Sequence, residues 1–355
     1  MSKYWTDVVH NLTPYVPGEQ PKEHLLIKLN TNENPYGPSQ KVIESIAAAN
    51  NDQLRLYPDP ESDALKSTLA SYYKISKNSI FIGNGSDEVL AFIFQAFFKK
   101  DLPILFPDIT YSFYPVYSRL YGIEYKTIPL DDEFNIRSDD YIAQNGGIIF
   151  PNPNAPTGIP KNLKDIETIL KLNQESVVVI DEAYVDFGTE SSVNLINQYD
   201  NLIVTQSFSK SRSLAGMRIG FAIASEELIE ALTRIKNSFN SYPIDRLAQM
   251  AGVAAIEDVT YFNETCSSII KARTFLEKEL SEIGFDTLPS GANFIFTKHR
   301  VFDAITIFSK LRSQGVLVRH FNNPERISQY LRITIGSMEQ MRKLVFLLKE
   351  IVGYI

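Results

Sequence analysis

The chain has 355 residues, 44% hydrophobic and 22% charged, the balance of a globular enzyme long enough for about two domains. Its net charge of −7 gives no general attraction to nucleic acid or anionic lipid, and its single cysteine, Cys266, excludes an intrachain disulfide or a thiolate metal cluster. No stretch reaches the ~20 apolar residues of a membrane span, and the four histidines (His10, His24, His299, His320) lack paired ligand spacing, so neither a membrane nor a metal is expected.

The first residues, Met1–Asp7, lack the apolar core of a signal peptide, in keeping with a cytoplasmic protein. Pro14, Pro17 and Pro21 predict an extended arm, because each proline removes a backbone donor and disfavours helix just before it. Strands are then predicted at 79–82, 104–106, 124–128, 147–150, 177–180, 202–206 and 218–222, with helices at 87–98, 113–121, 163–172 and 226–237. Continuous apolar runs such as Val177-Val178-Val179-Ile180 read as strands buried on both faces. The alternation predicts an α/β fold, a mostly parallel seven-stranded sheet between helices. Beyond about residue 255 an amphipathic segment runs to about Ile283. Strands at 293–297, 316–319 and 330–335 and helices at 301–314 and 338–351 follow, a smaller α+β domain.

Chemistry concentrates at the ends of these strands. Ser79-Ile80-Phe81-Ile82-Gly83-Asn84-Gly85-Ser86-Asp87-Glu88 is strand, glycine turn and helix start, and places Ser86 and Asp87 where free helix N–H groups can bind a phosphate. The same residues also serve an ordinary turn and cap. A dinucleotide fingerprint would need a third glycine where Glu88 stands, and no Gly-Lys-Ser/Thr of an ATPase loop occurs. Tyr111 follows the strand ending at Phe106 and could stack on a planar ring, although tyrosine is common here. The strand ending at Phe150 opens into Pro151-Asn152-Pro153-Asn154-Ala155-Pro156-Thr157-Gly158, a fixed irregular loop in which Ala155-Pro156 is a candidate cis bond.

Asp181 ends a buried strand, where open α/β sheets place ligand groups, with Tyr184 three residues on. In Ser207-Phe208-Ser209-Lys210-Ser211-Arg212-Ser213-Leu214-Ala215-Gly216-Met217-Arg218, a lysine follows an apolar run beside serines, with an arginine eight residues later. A lysine forming a Schiff base with pyridoxal phosphate needs such neighbours: hydroxyls and a guanidinium for the phosphate, an amine for the aldehyde. An aspartate such as Asp181 would then pair with the pyridine nitrogen. Arg319 and Arg332 lie in or beside apolar strands and want an anion or a structural salt bridge.

In this order and at these separations the motifs resemble the fold-type I pyridoxal phosphate aminotransferases over nearly the whole chain. Asn30-Thr31-Asn32-Glu33-Asn34-Pro35, Tyr57-Pro58-Asp59 and Arg319 with Arg332 are most similar to the histidinol-phosphate aminotransferases. The resemblance implies Lys210 as the Schiff-base lysine and proton carrier, Asp181 on the ring nitrogen, Tyr184 on the phenolate oxygen and Tyr111 against the ring. It implies Ser86, Asp87, Ser209, Arg218 and, less directly, Ser207 around the cofactor phosphate. Tyr57 would reach the neighbouring subunit's site, making a homodimer. Arg332 would bind the substrate carboxylate, Arg319 the phosphate of histidinol phosphate, and Tyr15 and Asn32 would lie in a segment closing over substrate. The implied domains are an arm at 1–35, which joins the small domain and serves as lid, a cofactor-binding domain at 36–255 and a small domain at 256–355. The implied reaction is ping-pong transamination between L-histidinol phosphate and 2-oxoglutarate, in histidine biosynthesis.

Two departures stand out: Ala155 replaces the asparagine common before Pro-Thr-Gly, and Leu56 replaces an arginine often found before Tyr-Pro-Asp. Rival readings are an aromatic amino acid aminotransferase, an O-phosphothreonine decarboxylase and a cofactor-binding regulator. No residues remain for the DNA-binding domain of the last.

Overall fold

The computed structural model describes residues 2–15, 18–20, 27–98 and 101–354; Val16, Pro17 and Pro21 of the expected arm and His24 lie outside the described residues. Strand β1 (Ile27–Lys28) belongs to a small two-stranded ladder. The large sheet holds β2 (Ile80–Asn84), β3 (Ile104–Pro107), β4 (Tyr125–Ile128), β5 (Ile148–Pro151), β6 (Val178–Asp181), β7 (Leu202–Ser207) and β8 (Ile219–Ala224), in the order β2-β8-β7-β6-β5-β3-β4. Every expected strand of this sheet is present. Only β8 runs antiparallel to its neighbours, so the sheet is mostly parallel. All positions of β5, β6, β7 and β8 are buried, which is why their sequences are continuous apolar runs.

In chain order, helices α1 (Asp7–Asn11), α2 (Gln40–Ala49), α3 (Asp63–Tyr73), α4 (Gly85–Phe97), α5 (Tyr114–Tyr121), α6 (Leu163–Leu172), α7 (Glu226–Phe239) and α8 (Arg246–Glu257) precede the long α9 (Val259–Glu282). Helix α6 buries Ile166, Ile169 and Leu170, and Asn162 caps it by accepting from Asp165 N at 2.9 Å. Asp258 separates α8 from α9, which gives the amphipathic segment its start.

A second sheet, β9 (Phe285–Thr287), β10 (Phe294–His299), β12 (Arg319–His320) and β13 (Leu331–Thr334), packs with α9, α10 (Ala304–Ser313) and α11 (Met338–Ile351) around Leu276, Ile295, Ile307 and Leu344. The expected strand at 316–319 is divided: β11 (Val316–Leu317) pairs parallel with β1, while β12 pairs with β13. A capping box of Ser337 and Gln340 fixes the start of α11, whose bounds, like those of α6, are the ones the sequence predicts.

Candidate active site

Every candidate cofactor- or substrate-binding residue named from the sequence, Tyr57 excepted, lines one cavity of about 1020 Å³ at the C-terminal ends of the parallel strands, between the two sheets. The volume is at the upper end of ligand pockets, with room for a cofactor and a substrate together.

Lys210 stands in the turn after β7. Phe208 N donates to Ile219 O at 3.0 Å and Ser209 N to Ser207 Oγ at 3.1 Å, which curl the turn so that both serines and the lysine face the cavity. Lys210 Nζ donates to Thr31 O at 3.1 Å and lies 5.7 Å from the centre of the Tyr184 ring. Asn34 Nδ2 donates to Lys210 O at 2.9 Å, and Ser211 Oγ to the buried carboxylate of Asp186, so the lysine backbone is held from two sides.

Beside this turn, β2 passes into α4 through Gly85 at φ +78, a left-handed conformation that favours glycine. A Cβ at Gly85 would come within 2.4 Å of Arg218 Nη2, and one at Gly220 within 2.3 Å of Ser86 N. These two glycines let the guanidinium and the first N–H groups of α4 converge with the hydroxyls of Ser86, Ser207 and Ser209 on one space. That donor set fits a phosphate. Asp87 has a different geometry from the one expected of a phosphate ligand. Its carboxylate accepts from Arg218 Nη2 at 3.2 Å and Tyr111 Oη at 2.9 Å, and so orients both groups.

Asp181 ends β6, buried. It accepts from Tyr114 Oη at 3.1 Å, Ala183 N at 3.3 Å and Thr205 Oγ1 at 3.4 Å. Burial pushes its carboxyl up to about 6, against the pull of these donors. Tyr184 Oη accepts from Asn32 Nδ2 at 3.1 Å. Asn32, at φ 56, is itself fixed: its N donates to Thr334 Oγ1, its Oδ1 accepts from the same hydroxyl, and its carbonyl accepts from Asn293 Nδ2. Asn32 thus orients the Tyr184 hydroxyl. Ala155 lines the cavity where the resemblance expects an amide. Asn154 does not take its place: its Nδ2 donates to Ile109 O and Thr157 Oγ1, and the residue does not line the cavity. Ala155-Pro156 is cis, as are Asn152-Pro153 and Asn323-Pro324.

Next to Asp181, Glu182 points the other way, fully buried. It accepts from Ser191 Oγ, Ser192 N and Gln206 Nε2, and burial pushes it up to about 7. A folded-state value raised from 4.5 means that Glu182 contributes stability below pH 4.5 that is lost as pH rises through about 7. Glu182→Gln cannot ionise. Its urea midpoint is therefore expected to rise relative to the parent's between pH 5 and pH 8, by on the order of 2–3 kcal/mol in unfolding free energy. A difference between the two that is constant with pH would contradict this.

Arg319 and Arg332 face each other across β12 and β13. Arg332 Nη2 donates to Asn30 O at 3.0 Å, its Nε has no partner among the described residues, and its guanidinium lies 5.4 Å from the centre of Phe294 and 5.7 Å from that of Phe321. Burial first, and then the like charge of Arg319, hold its pKa below the usual guanidinium range, against the opposing pull of Tyr184. Neither arginine forms an ion pair among the described residues. Two cations on aromatic walls without a counter-ion make a site for an anion. Tyr15 lines the same end, its ring 4.6 Å from Phe113. Tyr57 lies elsewhere, 79% exposed and stacked on Tyr242 at 4.7 Å.

The description "Aminotransferase class I and II" matches residues 25–347. The chain therefore belongs to the class I and II aminotransferases, a family whose members share this architecture. The "Histidinol-phosphate aminotransferase" of Pseudomonas syringae pv. syringae is 57% identical over 97% of this chain and 98% of its own length. "Histidinol-phosphate aminotransferase 1" of Hydrogenovibrio crunogenus is 57% identical over 99% and 98%. Among solved structures, the histidinol-phosphate aminotransferase of Sinorhizobium meliloti in complex with pyridoxal-5'-phosphate superposes with a TM-score of 0.90 at 24% identity, covering 100% of this chain and 99% of that one. An aspartate aminotransferase variant of Thermus thermophilus gives 0.84 at 18% identity, covering 99% and 100%. These last two speak for the fold.

Proposed function

We propose that the protein is a pyridoxal phosphate-dependent histidinol-phosphate aminotransferase, interconverting L-histidinol phosphate and 2-oxoglutarate with imidazole acetol phosphate and L-glutamate. The observation that carries this reading is the pairing of Lys210 and a phosphate-fitting cradle with two unpaired arginines across one cavity. Relatives of that name at 57% identity over nearly the whole chain support it.

When bound, pyridoxal phosphate supplies an aldehyde for amine capture and a ring that withdraws electrons from the substrate carbon. Ser86, Ser207, Ser209 and Arg218 hold its phosphate, while Asp87 orients Arg218 and Tyr111. Asp181 would meet the protonated ring nitrogen, Tyr111 would support the ring and Tyr184 would donate to its phenolate oxygen. The amine of Lys210 would anchor the cofactor and, once free, would take up and return the proton at the substrate carbon. Arg332 binds the carboxylate of glutamate, and Arg319 binds either the substrate phosphate or glutamate's distal carboxylate. Tyr15 and Asn32 close the substrate end.

The division into an arm at 1–35, a large domain at 36–255 and a small domain at 256–355 belongs to the same proposal, supported by the separate apolar clusters of the two sheets. So does a homodimer in which Tyr57 reaches the other subunit's cofactor. Exposed Leu54, Leu56, Tyr57 and Phe239 supply apolar surface for it. Among the described residues no helix is long and apolar enough to cross a membrane. A cytoplasmic location follows from the biosynthetic reaction proposed.

One observation also favours a second substrate class: Tyr15 and Tyr111, each packed on Phe113, put two aromatic rings on the cavity wall that would suit a phenylalanine or tyrosine side chain. Steady-state kinetics separate the two. With L-histidinol phosphate and 2-oxoglutarate varied together, parallel double-reciprocal lines are expected, with kcat/KM for histidinol phosphate well above that for L-phenylalanine. Intersecting lines or the reverse preference would contradict the proposal.

A further inference from the structure

Tyr114 belongs to no motif and does not line the cavity, yet it touches two of the groups read above as gripping the cofactor ring. It opens α5 and is fully buried. Its Oη donates to Asp181 Oδ2 at 3.1 Å, the shortest of that carboxylate's hydrogen bonds. Its ring stands edge-on to Tyr111, centres 5.6 Å apart at 85°, and is backed by Phe106 at 5.8 Å. No ion pair among the described residues includes Asp181, so three neutral donors are what favour its charged form. The titratable groups facing the pair are Asp87 from α4, itself paired with Arg218, Tyr111 from the loop after β3 and Tyr117 from α5. Burial pushes both phenols far above the neutral range, so neither changes charge near neutrality.

We propose that Tyr114 is a positioning residue: its hydroxyl keeps Asp181 a carboxylate at the cavity wall, ready for the protonated ring nitrogen of pyridoxal phosphate, while its ring supports Tyr111 against the cofactor face. The proposal rests on the reading of Asp181 given above. A buried carboxyl without a cation takes up a proton unless donors hold its charged form, and a protonated Asp181 cannot pair with a pyridinium. Loss of the Tyr114 hydroxyl therefore weakens cofactor binding only where Asp181 becomes protonated.

The test uses the full chain stripped of cofactor and titrated calorimetrically with pyridoxamine 5'-phosphate, which forms no bond to Lys210, from pH 5.5 to pH 8.5. The proteins are the parent, Tyr114→Phe and Asp181→Asn. Tyr114→Phe keeps the ring and so the packing. It is expected to bind within about twofold of the parent at pH 8.5 and about five- to tenfold more weakly at pH 5.5, as a tenfold shift in proton affinity gives. Weakening by one factor at every pH, or no weakening, would overturn the proposal. Asp181→Asn is expected to bind weakly throughout. If it binds as the parent does, the reading of Asp181 falls and the proposal with it; if it is weak while Tyr114→Phe matches the parent at every pH, the proposal alone falls.

Discussion

Lys210→Ala is expected to lose more than about 10⁴-fold in kcat, since a positioned general base alone is worth about 10²–10⁴ and the covalent anchor is lost as well. Among the described residues Lys210 is the one lysine lining the cavity, so none of them offers a neighbouring amine to take over. Its amine donates to Thr31 O, and its backbone carbonyl is held by Asn34 Nδ2. The amine can therefore move while its root stays fixed. Added methylamine should restore part of the proton transfer without restoring the anchor, which single-turnover kinetics would register. Normal turnover by Lys210→Ala without added amine would refute the assignment.

The second large effect is expected at the arginine pair. Removing one partner from a buried charged contact costs about 2–5 kcal/mol, or roughly 30- to several-thousand-fold. Arg319→Ala should cause a loss in that range in kcat/KM for both histidinol phosphate and glutamate, because one guanidinium serves the phosphate in one half-reaction and the distal carboxylate in the other. Arg332→Ala should fall hardest on glutamate and 2-oxoglutarate, because histidinol phosphate carries a carbinol where glutamate carries a carboxylate. The two variants assayed on each half-reaction give a pattern that general damage to the site would not reproduce. An Arg319→Ala enzyme that loses only one substrate would contradict the shared role.

What the sequence made legible follows from what is local in it. Buried parallel strands announce themselves as unbroken apolar runs, and the turns at their ends carry the polar groups, so Ser86, Asp181, Lys210 and Arg218 stood out at strand ends, while their roles came from the family resemblance that joins these motifs. Glycines 85 and 220 bear a signal of the same kind, since a close backbone approach excludes a side chain. Side-chain partnerships across the chain leave no such trace. Asn32 is tied to Thr334, 302 residues away, and Tyr114 is one of 18 tyrosines with nothing in its neighbours to mark the contact with Asp181. Asp87 was legible as a residue of the phosphate turn, but its engagement with Arg218 and Tyr111 was not. The division of the predicted strand at 316–319 has a similar cause. Its first half pairs with Ile27 and Lys28 and its second with β13, a choice set by tertiary packing.

One half-reaction distinguishes the possible substrates most directly. The purified enzyme carrying its cofactor, mixed separately with L-histidinol phosphate, L-phenylalanine and O-phosphothreonine, is followed by the absorbance of the bound cofactor. Rapid bleaching with histidinol phosphate and recovery on adding 2-oxoglutarate is the predicted result. Bleaching with phenylalanine alone would move the function to aromatic transamination, carbon dioxide release from O-phosphothreonine would make it a decarboxylase, and a protein without cofactor absorbance would contradict the reading of Lys210 altogether.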